Sequence, residues 1–203
     1  MPATDSSRTQ LVRTMARLLR DQGYTATGLA QVLAESGVSN GSLYHHFPGG
    51  MEELAAAALE ASGQAVAAAL SRVLDAAPNT AEGVVAFLDI TEVSADGICR
   101  GCPISPTALE SSISPRLRTA ATGCFEQWEG LLAGRLRSDG WPDDDIPEAA
   151  SAALSLIEGA LLLARVTGEI SHLAHAKQAA RALFAVPPAQ RPPPKSARTK
   201  GRR

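Results

Sequence analysis

The sequence is short of aromatic residues, cysteines and uninterrupted apolar runs. Aromatic side chains make up 4% of the 203 residues, against 45% hydrophobic residues overall, and alanine is abundant. Because alanine favours helices, whereas strands are enriched in aromatic and β-branched residues, this composition disfavours a β-sandwich or a barrel. A chain of this length can bury one core and a small additional module. The composition therefore predicts an all-α protein.

The same absences bear on the compartment. Three cysteines cannot all pair with one another, which disfavours a secreted disulfide framework. No uninterrupted apolar run reaches the roughly 18 residues that a membrane-crossing helix needs, and the polar first ten residues do not resemble a signal peptide. We therefore expect a cytoplasmic protein that does not associate with a membrane.

Charge is distributed unevenly along the chain. Residues 51–186 contain eighteen acidic and nine basic side chains, whereas residues 187–203 are rich in proline and contain six basic and no acidic ones. The six are Arg191, Lys195, Arg198, Lys200, Arg202 and Arg203. A tail with nothing to bury is expected to be disordered. It is either a mobile polycation for DNA or an inert solubilising extension.

Capping residues and hydrophobic periodicity predict the helices. We expect Ser7 to begin the first helix, Thr27 to cap the second, and Ser39 to cap a third over Asn40–His46, with Gly37 ending the second. Later helices are predicted over about 51–76, 81–93, 115–138, 147–167 and 171–184. An irregular loop leading into a short helix is predicted from about 94 to 106.

The three N-terminal helices have the dimensions of a helix-turn-helix domain. Gly37 allows the sharp turn between the second and third helices, because it tolerates positive φ. Val38, Leu43 and Phe47 are expected to face inward and hold the third helix in place. Its other face presents small and polar residues suited to a DNA groove. These residues are Ser39, Asn40, Gly41, Ser42, Tyr44 and His45.

These segments resemble a known family. Thr27-Gly28-Leu29, the run 36–39 and the run 41–47 are similar to the DNA-binding signature of TetR-type repressors. The run 41–50, with residues 101–104 and 157–160, resembles the LmrA/YxaF-like branch. The resemblance implies an all-helical homodimer that reads a palindromic operator and is released by a small hydrophobic effector. It adds Thr27 to the six expected DNA contacts. Asn40 stands where the branch commonly has lysine, so we expect it to read a base instead of attracting phosphate.

The resemblance also implies a division into domains. Residues 1–50 are expected to form the DNA-binding domain, which continues into a linking helix over 51–76. Residues 77–186 are expected to bind the ligand and to form the dimer, and 187–203 form the tail. Dimer contacts are predicted on the helices near 115–138 and 147–167, with Ile157 and Leu161 in the seam.

Large apolar residues in the C-terminal domain are the expected walls of an effector cavity, since ligand pockets are mostly apolar. They are Phe87, Ile104, Leu109, Phe125 and Trp128. The alternative for each is simple packing in the core.

Two further classes of function remain open on the sequence. Cys99-x-x-Cys102 admits a thiol-based redox sensor, and a helical small-molecule carrier or enzyme with a non-functional DNA motif is possible too. A metal site is not expected, because neither the cysteine pair nor His172-x-x-His175 has further ligands near in sequence. The absence of a catalytic triad, a Walker loop or a dinucleotide fingerprint predicts that the chain is not an enzyme and needs no cofactor.

Overall fold

The computed structural model describes residues 3–91, 99–110 and 114–187, without the side chains of 3–6. In these ranges the chain forms nine α-helices, which confirms the all-α prediction. They are α1 (Ala3–Gln22), α2 (Leu29–Ser36), α3 (Asn40–His46), α4 (Gly50–Ala76), α5 (Thr80–Asp89), α6 (Ser105–Leu109), α7 (Pro115–Ser138), α8 (Ile146–Thr167) and α9 (Ser171–Phe184). Residues 188–203, which contain all six basic residues of the tail, lie outside the described residues.

Helices α1, α2 and α3 form a small bundle that packs on α4. Leu11, Met15 and Leu19 of α1 meet Val32 of α2 and Leu43 of α3 in a core that water does not reach. This stripe follows the helical spacing of apolar residues that the sequence shows. The bundle fixes the orientation of α3 relative to α4.

Several predicted helix ends differ from the observed ones. Helix α1 begins at Ala3 and not at Ser7, because no glycine or proline stops it from extending through residues 3–6. The predicted cap of α2 by Thr27 is wrong: Gly28 is the N-cap residue and makes no side-chain cap. Helix α5 ends at Asp89, earlier than the predicted 93. The caps by Ser39 on α3 and Ser114 on α7 are present.

The C-terminal part is built around the pair α4 and α7. Helices α5 and α9 pack on each other, and α8 lies against α7 and α9. Helices α4 and α7 are in close contact at Gly63, where the Trp128 indole N–H donates to the Gly63 carbonyl (3.0 Å). A Cβ atom at Gly63 would lie 2.3 Å from the Cys124 sulfur, so this crossing requires glycine. The interface therefore places the Trp128 ring between α4 and the rest of the domain.

Helix α8 is apolar on nearly every face and is only partly covered. Ile157 and Leu161 are buried within the protomer, which makes the prediction that they form a dimer seam wrong. Leu162, Leu163 and Val166 are instead 47, 48 and 75% exposed. Helices α4 and α8 also have the length and mean hydropathy of membrane spans, but both contribute buried residues to the core.

Candidate nucleic-acid interface and internal cavity

The turn between α2 and α3 is fixed by backbone geometry. Gly37 has φ +68°, and its N–H donates to the Leu33 carbonyl (3.0 Å), which ends α2. This left-handed conformation is readily available to glycine and costly for other residues. The Ser39 hydroxyl then accepts from the Ser42 N–H (3.2 Å) and begins α3. The sequence thus sets the angle between the two helices through two adjacent end signals.

Helix α3 has two distinct faces. Val38, Leu43 and Phe47 are buried as predicted, with 7, 0 and 2% of their surface exposed. The opposite face carries six of the seven residues expected to contact DNA. Of these, Ser39, Asn40, Gly41, Tyr44 and His45 are exposed and Ser42 is half-buried. One continuous polar surface results.

Tyr44 is held in place although almost half of its side chain is exposed. Its ring lies over Gly50, where an added Cβ would stand 3.3 Å from the ring edge. Gly50 has φ +68°, so the start of α4 depends on glycine both for conformation and for the space that the ring fills. The Tyr44 side chain is therefore directed by α4 as well as by α3.

Thr27 is the exception among the predicted contacts. Its side chain is 4% exposed, and its hydroxyl donates to the Gly23 carbonyl (2.6 Å). The hydroxyl also accepts from the Gln22 amide (3.4 Å). Thr27 thus closes the turn between α1 and α2 and does not contribute its side chain to the surface of α3.

A cavity of about 320 Å³ lies in the C-terminal part, between α4, α5, α7 and α8. Two of the five predicted wall residues, Phe87 and Trp128, line it. Ile104 is fully buried beside it, and Phe125 packs edge-on against Trp128 at a centroid distance of 5.3 Å, but neither lines the cavity. Leu109 is 78% exposed and borders a separate cleft with Leu162 and Val166.

Most of the cavity lining is apolar, and the sequence analysis proposed none of its polar members as an effector contact, although it considered Cys102 as a redox thiol. The polar residues are Arg20, Ser62, Thr91, Cys102 and Glu158. Glu158 had a signal in the sequence, since it is the one charged residue in the stretch 149–164 of α8. A lone charge in an uncharged stretch marks the residue as unusual. It does not predict which side of the helix faces a cavity.

Glu158 forms a small polar cluster at the cavity wall. The Ser105 hydroxyl donates to Glu158 Oε2 (2.7 Å), and the Cys102 thiol also hydrogen-bonds the carboxyl group. Burial raises the pKa of Glu158 above the ordinary carboxyl value, and these two hydrogen bonds oppose the rise. Neither donor carries a positive charge.

The cysteines are buried and unpaired. Cys99, Cys102 and Cys124 are free thiols with 1, 5 and 5% of their surface exposed. Burial, with the nearby Glu158 carboxylate, raises the pKa of Cys102 to about 12. A thiolate is the reactive form of cysteine, so this environment disfavours reaction with an oxidant at neutral pH. Among the described residues, no group of three potential ligands could hold a metal ion.

The side chains of Arg165 and Glu110 hydrogen-bond the N-terminal bundle from the cavity region. The Arg165 guanidinium of α8 donates to the carbonyls of Arg20 and Asp21 at the end of α1 (2.8 and 3.1 Å). The Glu110 carboxylate, directly after α6, accepts from the backbone N–H groups of Tyr24 and Thr25 (2.7 and 2.9 Å). Arg165 of α8 therefore holds the end of α1, and Glu110 holds the turn between α1 and α2.

Comparison with known families and proteins agrees with this architecture. Residues 11–58 match the family described as bacterial regulatory proteins of the tetR family, and residues 80–179 match the C-terminal domain of LmrA/YxaF-like transcriptional regulators. The HTH-type transcriptional regulator LmrA of Bacillus subtilis is 34% identical over 174 residues. This alignment covers 83% of the chain and 92% of LmrA.

Solved structures show the same fold. The reduced form of E. coli NemR superposes with a TM-score of 0.79 at 24% identity, covering 89% of this chain and 99% of NemR. A cysteine mutant of CifR, solved with a 26-bp double-strand operator DNA, has a TM-score of 0.70 at 28% identity, with 86 and 95% of the two chains covered. With both halves matched by family and by fold, the chain belongs to the TetR family and is a DNA-binding transcriptional repressor.

Proposed function

We propose that two copies of this chain bind a palindromic operator through α3 and release it when a small hydrophobic effector enters the cavity. The observation that carries the proposal is the exposed polar face of α3 above a fully packed apolar face. A helix held rigidly on one side and polar on the other can enter a major groove with little rearrangement. Regulators of this family are not enzymes, and no catalytic role is proposed.

We assign different tasks to the exposed residues of α3. The Asn40 amide has the donor and acceptor needed to bind adenine bidentately, and Gly41 allows close approach to the groove. Tyr44 is assigned to a phosphate, since its ring is fixed on Gly50 and its hydroxyl end is accessible. Ser42 and His45 are assigned to groove contacts. We give Ser39 and Thr27 the supporting task of shaping the two turns.

The proposed dimer surface lies on α7 and α8. Small or apolar residues recur along one side of α8, at Ser155, Gly159, Leu162 and Val166, and the latter two are exposed. On α7, no atom lies within 4 Å of an added Cβ at Gly123, Gly130 or Gly134. Exposed small residues let two helix backbones approach closely, and burying the leucine and valine side chains supplies the driving force.

We divide the chain as the sequence suggested. Residues 1–50 form the DNA-binding domain, α4 is the linking helix, and the domain over 77–186 forms the dimer and holds the effector. The contacts of Arg165 with the end of α1, and of Glu110 with the turn after it, give the cavity region a mechanical connection to the DNA-binding domain. A dimer that changes the spacing of its two α3 helices would lose its fit to the operator. The proposed compartment is the cytoplasm, where the operator is accessible.

Operator binding is tested with labelled duplexes that tile the DNA upstream of the gene for this protein. Fluorescence anisotropy should show one duplex bound at least 10³-fold more tightly than a scrambled duplex at the same salt concentration. A library of hydrophobic compounds is then screened for release of that duplex. Equally weak binding to every duplex would contradict operator recognition. If no compound releases the operator duplex, the proposal that an effector controls DNA binding is contradicted.

The dimer is tested by sedimentation. Leu162→Asp should yield folded monomers, because an unpaired charge in an apolar interface is costly. Ile170→Asp is the matched control, since Ile170 is 54% exposed and lies outside the proposed surface. A dimer that survives Leu162→Asp and Val166→Asp together would reject this surface.

A further inference from the structure

The cavity contains one acidic side chain, Glu158, among walls that are otherwise mainly apolar. Glu158 of α8 belongs to the same lining as Trp128 and Leu154, and its carboxyl group accepts a hydrogen bond from the Ser105 hydroxyl (2.7 Å). A buried carboxylate loses its hydration, and it is stable only if hydrogen bonds or an opposite charge replace the water. A ligand that brings a hydrogen-bond donor or a positive charge to Glu158 would therefore stabilise the carboxylate.

The protein itself supplies little compensation to this carboxyl group. Ser105 and Cys102 donate hydrogen bonds to it, both from neutral groups. The other lining hydroxyls already donate to backbone carbonyls four residues earlier in the chain: Ser62 to the Ala58 carbonyl (2.9 Å) and Thr91 to the Phe87 carbonyl (3.3 Å). A ligand cation would meet a carboxylate that the described residues do not already pair with a cation.

Arg20 is the other charged residue of the lining. Arg20 lies near the end of α1, and its guanidinium group donates a hydrogen bond to the Gly101 carbonyl (3.4 Å). An anionic ligand would seek this group, so the two charged residues predict opposite preferences. Both side chains are half-buried. Burial raises the pKa of the Glu158 carboxyl group, so its charged form is the one that a nearby opposite charge would stabilise.

We propose that the effector of this cavity is an apolar molecule with one basic amine, whose ammonium group pairs with the Glu158 carboxylate. This inference rests on the proposed function, because it specifies the ligand of the proposed effector site. The apolar part of the molecule contacts Phe87, Trp128 and Leu154, and the ammonium group donates hydrogen bonds to the carboxylate. Pairing at Glu158 acts on Ser105, the first residue of α6, and the segment after α6 holds the turn between α1 and α2 through Glu110.

The test uses three probes with the same apolar part: 4-phenylbutylamine, 4-phenylbutanol and 4-phenylbutanoate. Binding of each to the full-length protein is measured by titration calorimetry at neutral pH. The amine should bind about tenfold or more tightly than the alcohol, as expected for a charge-assisted hydrogen bond away from water. Glu158→Gln should lower the affinity for the amine about tenfold and leave that for the alcohol within about twofold.

Two control variants make the result specific. Glu148→Gln removes an exposed carboxylate from the first turn of the same helix and should change none of the three affinities. Ala65→Trp places a large side chain at the exposed edge of the cavity lining and should abolish binding of all three probes. Circular dichroism and operator binding of each variant confirm that it is folded.

The outcomes separate this inference from the proposed function. If the alcohol binds as tightly as the amine, or if the preference for the amine persists in Glu158→Gln, the inference fails while the cavity remains a ligand site. Tighter binding of the carboxylate would overturn it in favour of recognition by Arg20. Binding that survives Ala65→Trp, or the absence of any binding, also overturns it. The compound screen for operator release tests the proposed function independently.

Discussion

The two ends of the molecule place their polar residues in opposite ways. Helix α3 buries Leu43 and presents polar side chains to solvent, whereas the C-terminal domain places a half-buried carboxyl group, Glu158, in a mainly apolar cavity wall. In the first region the function resides in the displayed residues and packing sets their direction. In the second it resides in a cavity and in a carboxyl group that pairs with no cation among the described residues. A substitution is therefore expected to affect DNA binding or its support in the first region and ligand binding in the second.

The largest effect is expected where packing supports the displayed surface. Leu43→Ala removes a fully buried side chain from beneath α3, and such truncations cost about 2–5 kcal/mol of the free energy of unfolding. Asn40→Ala, three residues earlier on the exposed face, should change stability by less than about 0.5 kcal/mol. Urea denaturation followed by circular dichroism measures both. Equal losses from the two substitutions would show that the faces of α3 are not distinct.

The crossing of α4 and α7 is the corresponding support of the C-terminal domain. Gly63→Ala would bring a Cβ to 2.3 Å from the Cys124 sulfur, so we expect overpacking to cost about 1–3 kcal/mol. Cys124→Ala removes that sulfur and should recover part of the loss when the two substitutions are combined. A double-mutant cycle in urea measures the coupling. Strictly additive losses would mean that the two helices already have room to separate.

The sequence predicted the DNA-binding half in more detail than the other half. Gly37 and Ser39 are local signals, because a turn needs positive φ and a helix start needs an acceptor, and both appear as expected. Thr27 carried the same capping signal, but its hydroxyl bonds the Gly23 carbonyl instead. Whether the Thr27 hydroxyl caps α2 or bonds the Gly23 carbonyl depends on the exact backbone path of the turn. The sequence does not specify that path.

The cavity could not be predicted at the same level. Phe87 and Trp128 were identified because they are large and apolar, and they do line it. Leu109 has the same character and is exposed, and Ile104 is fully buried but does not line the cavity. A cavity forms where several helices pack and leave space between them. Residue type alone therefore does not predict which side chains line it. Glu158 was overlooked because its meaning depends on burial.

Substitutions on the exposed face of α3 should change which operator sequences are bound, or how tightly. Asn40→Ala should cost about 1–3 kcal/mol of operator binding and relax the preference at one base pair in each half-site. Tyr44→Phe should weaken binding to all duplexes alike, because a phosphate contact carries no base information. Anisotropy titrations against a set of single-base operator variants distinguish the two patterns. An unchanged sequence preference in Asn40→Ala would remove Asn40 from the base-reading residues.

The half-buried carboxyl group should make stability depend on pH. Burial raises the pKa of Glu158 in the folded state above the ordinary carboxyl value, so the folded protein binds this proton more tightly than the unfolded chain. The free energy of unfolding then falls as pH rises from that ordinary value through the raised one. Glu158→Gln should lack this fall and gain stability relative to the native protein as pH increases. Parallel pH profiles from urea denaturation of the two proteins would contradict burial of an ionisable group.

The smallest effect is expected from the basic tail, which can be removed by ending the chain after Val186. Each phosphate contact made by the tail would add about 0.9 to the slope of log affinity against log salt concentration. Helix α9, which the tail follows, packs against α5 and α8. The acidic segment over 51–186 also offers the tail a nearby partner of opposite charge. We therefore expect equal salt slopes for the full-length and shortened proteins in operator titrations between 50 and 200 mM salt. A slope that falls by one unit or more on truncation would instead show that the tail reaches the DNA, and affinity for random duplexes would then fall with it.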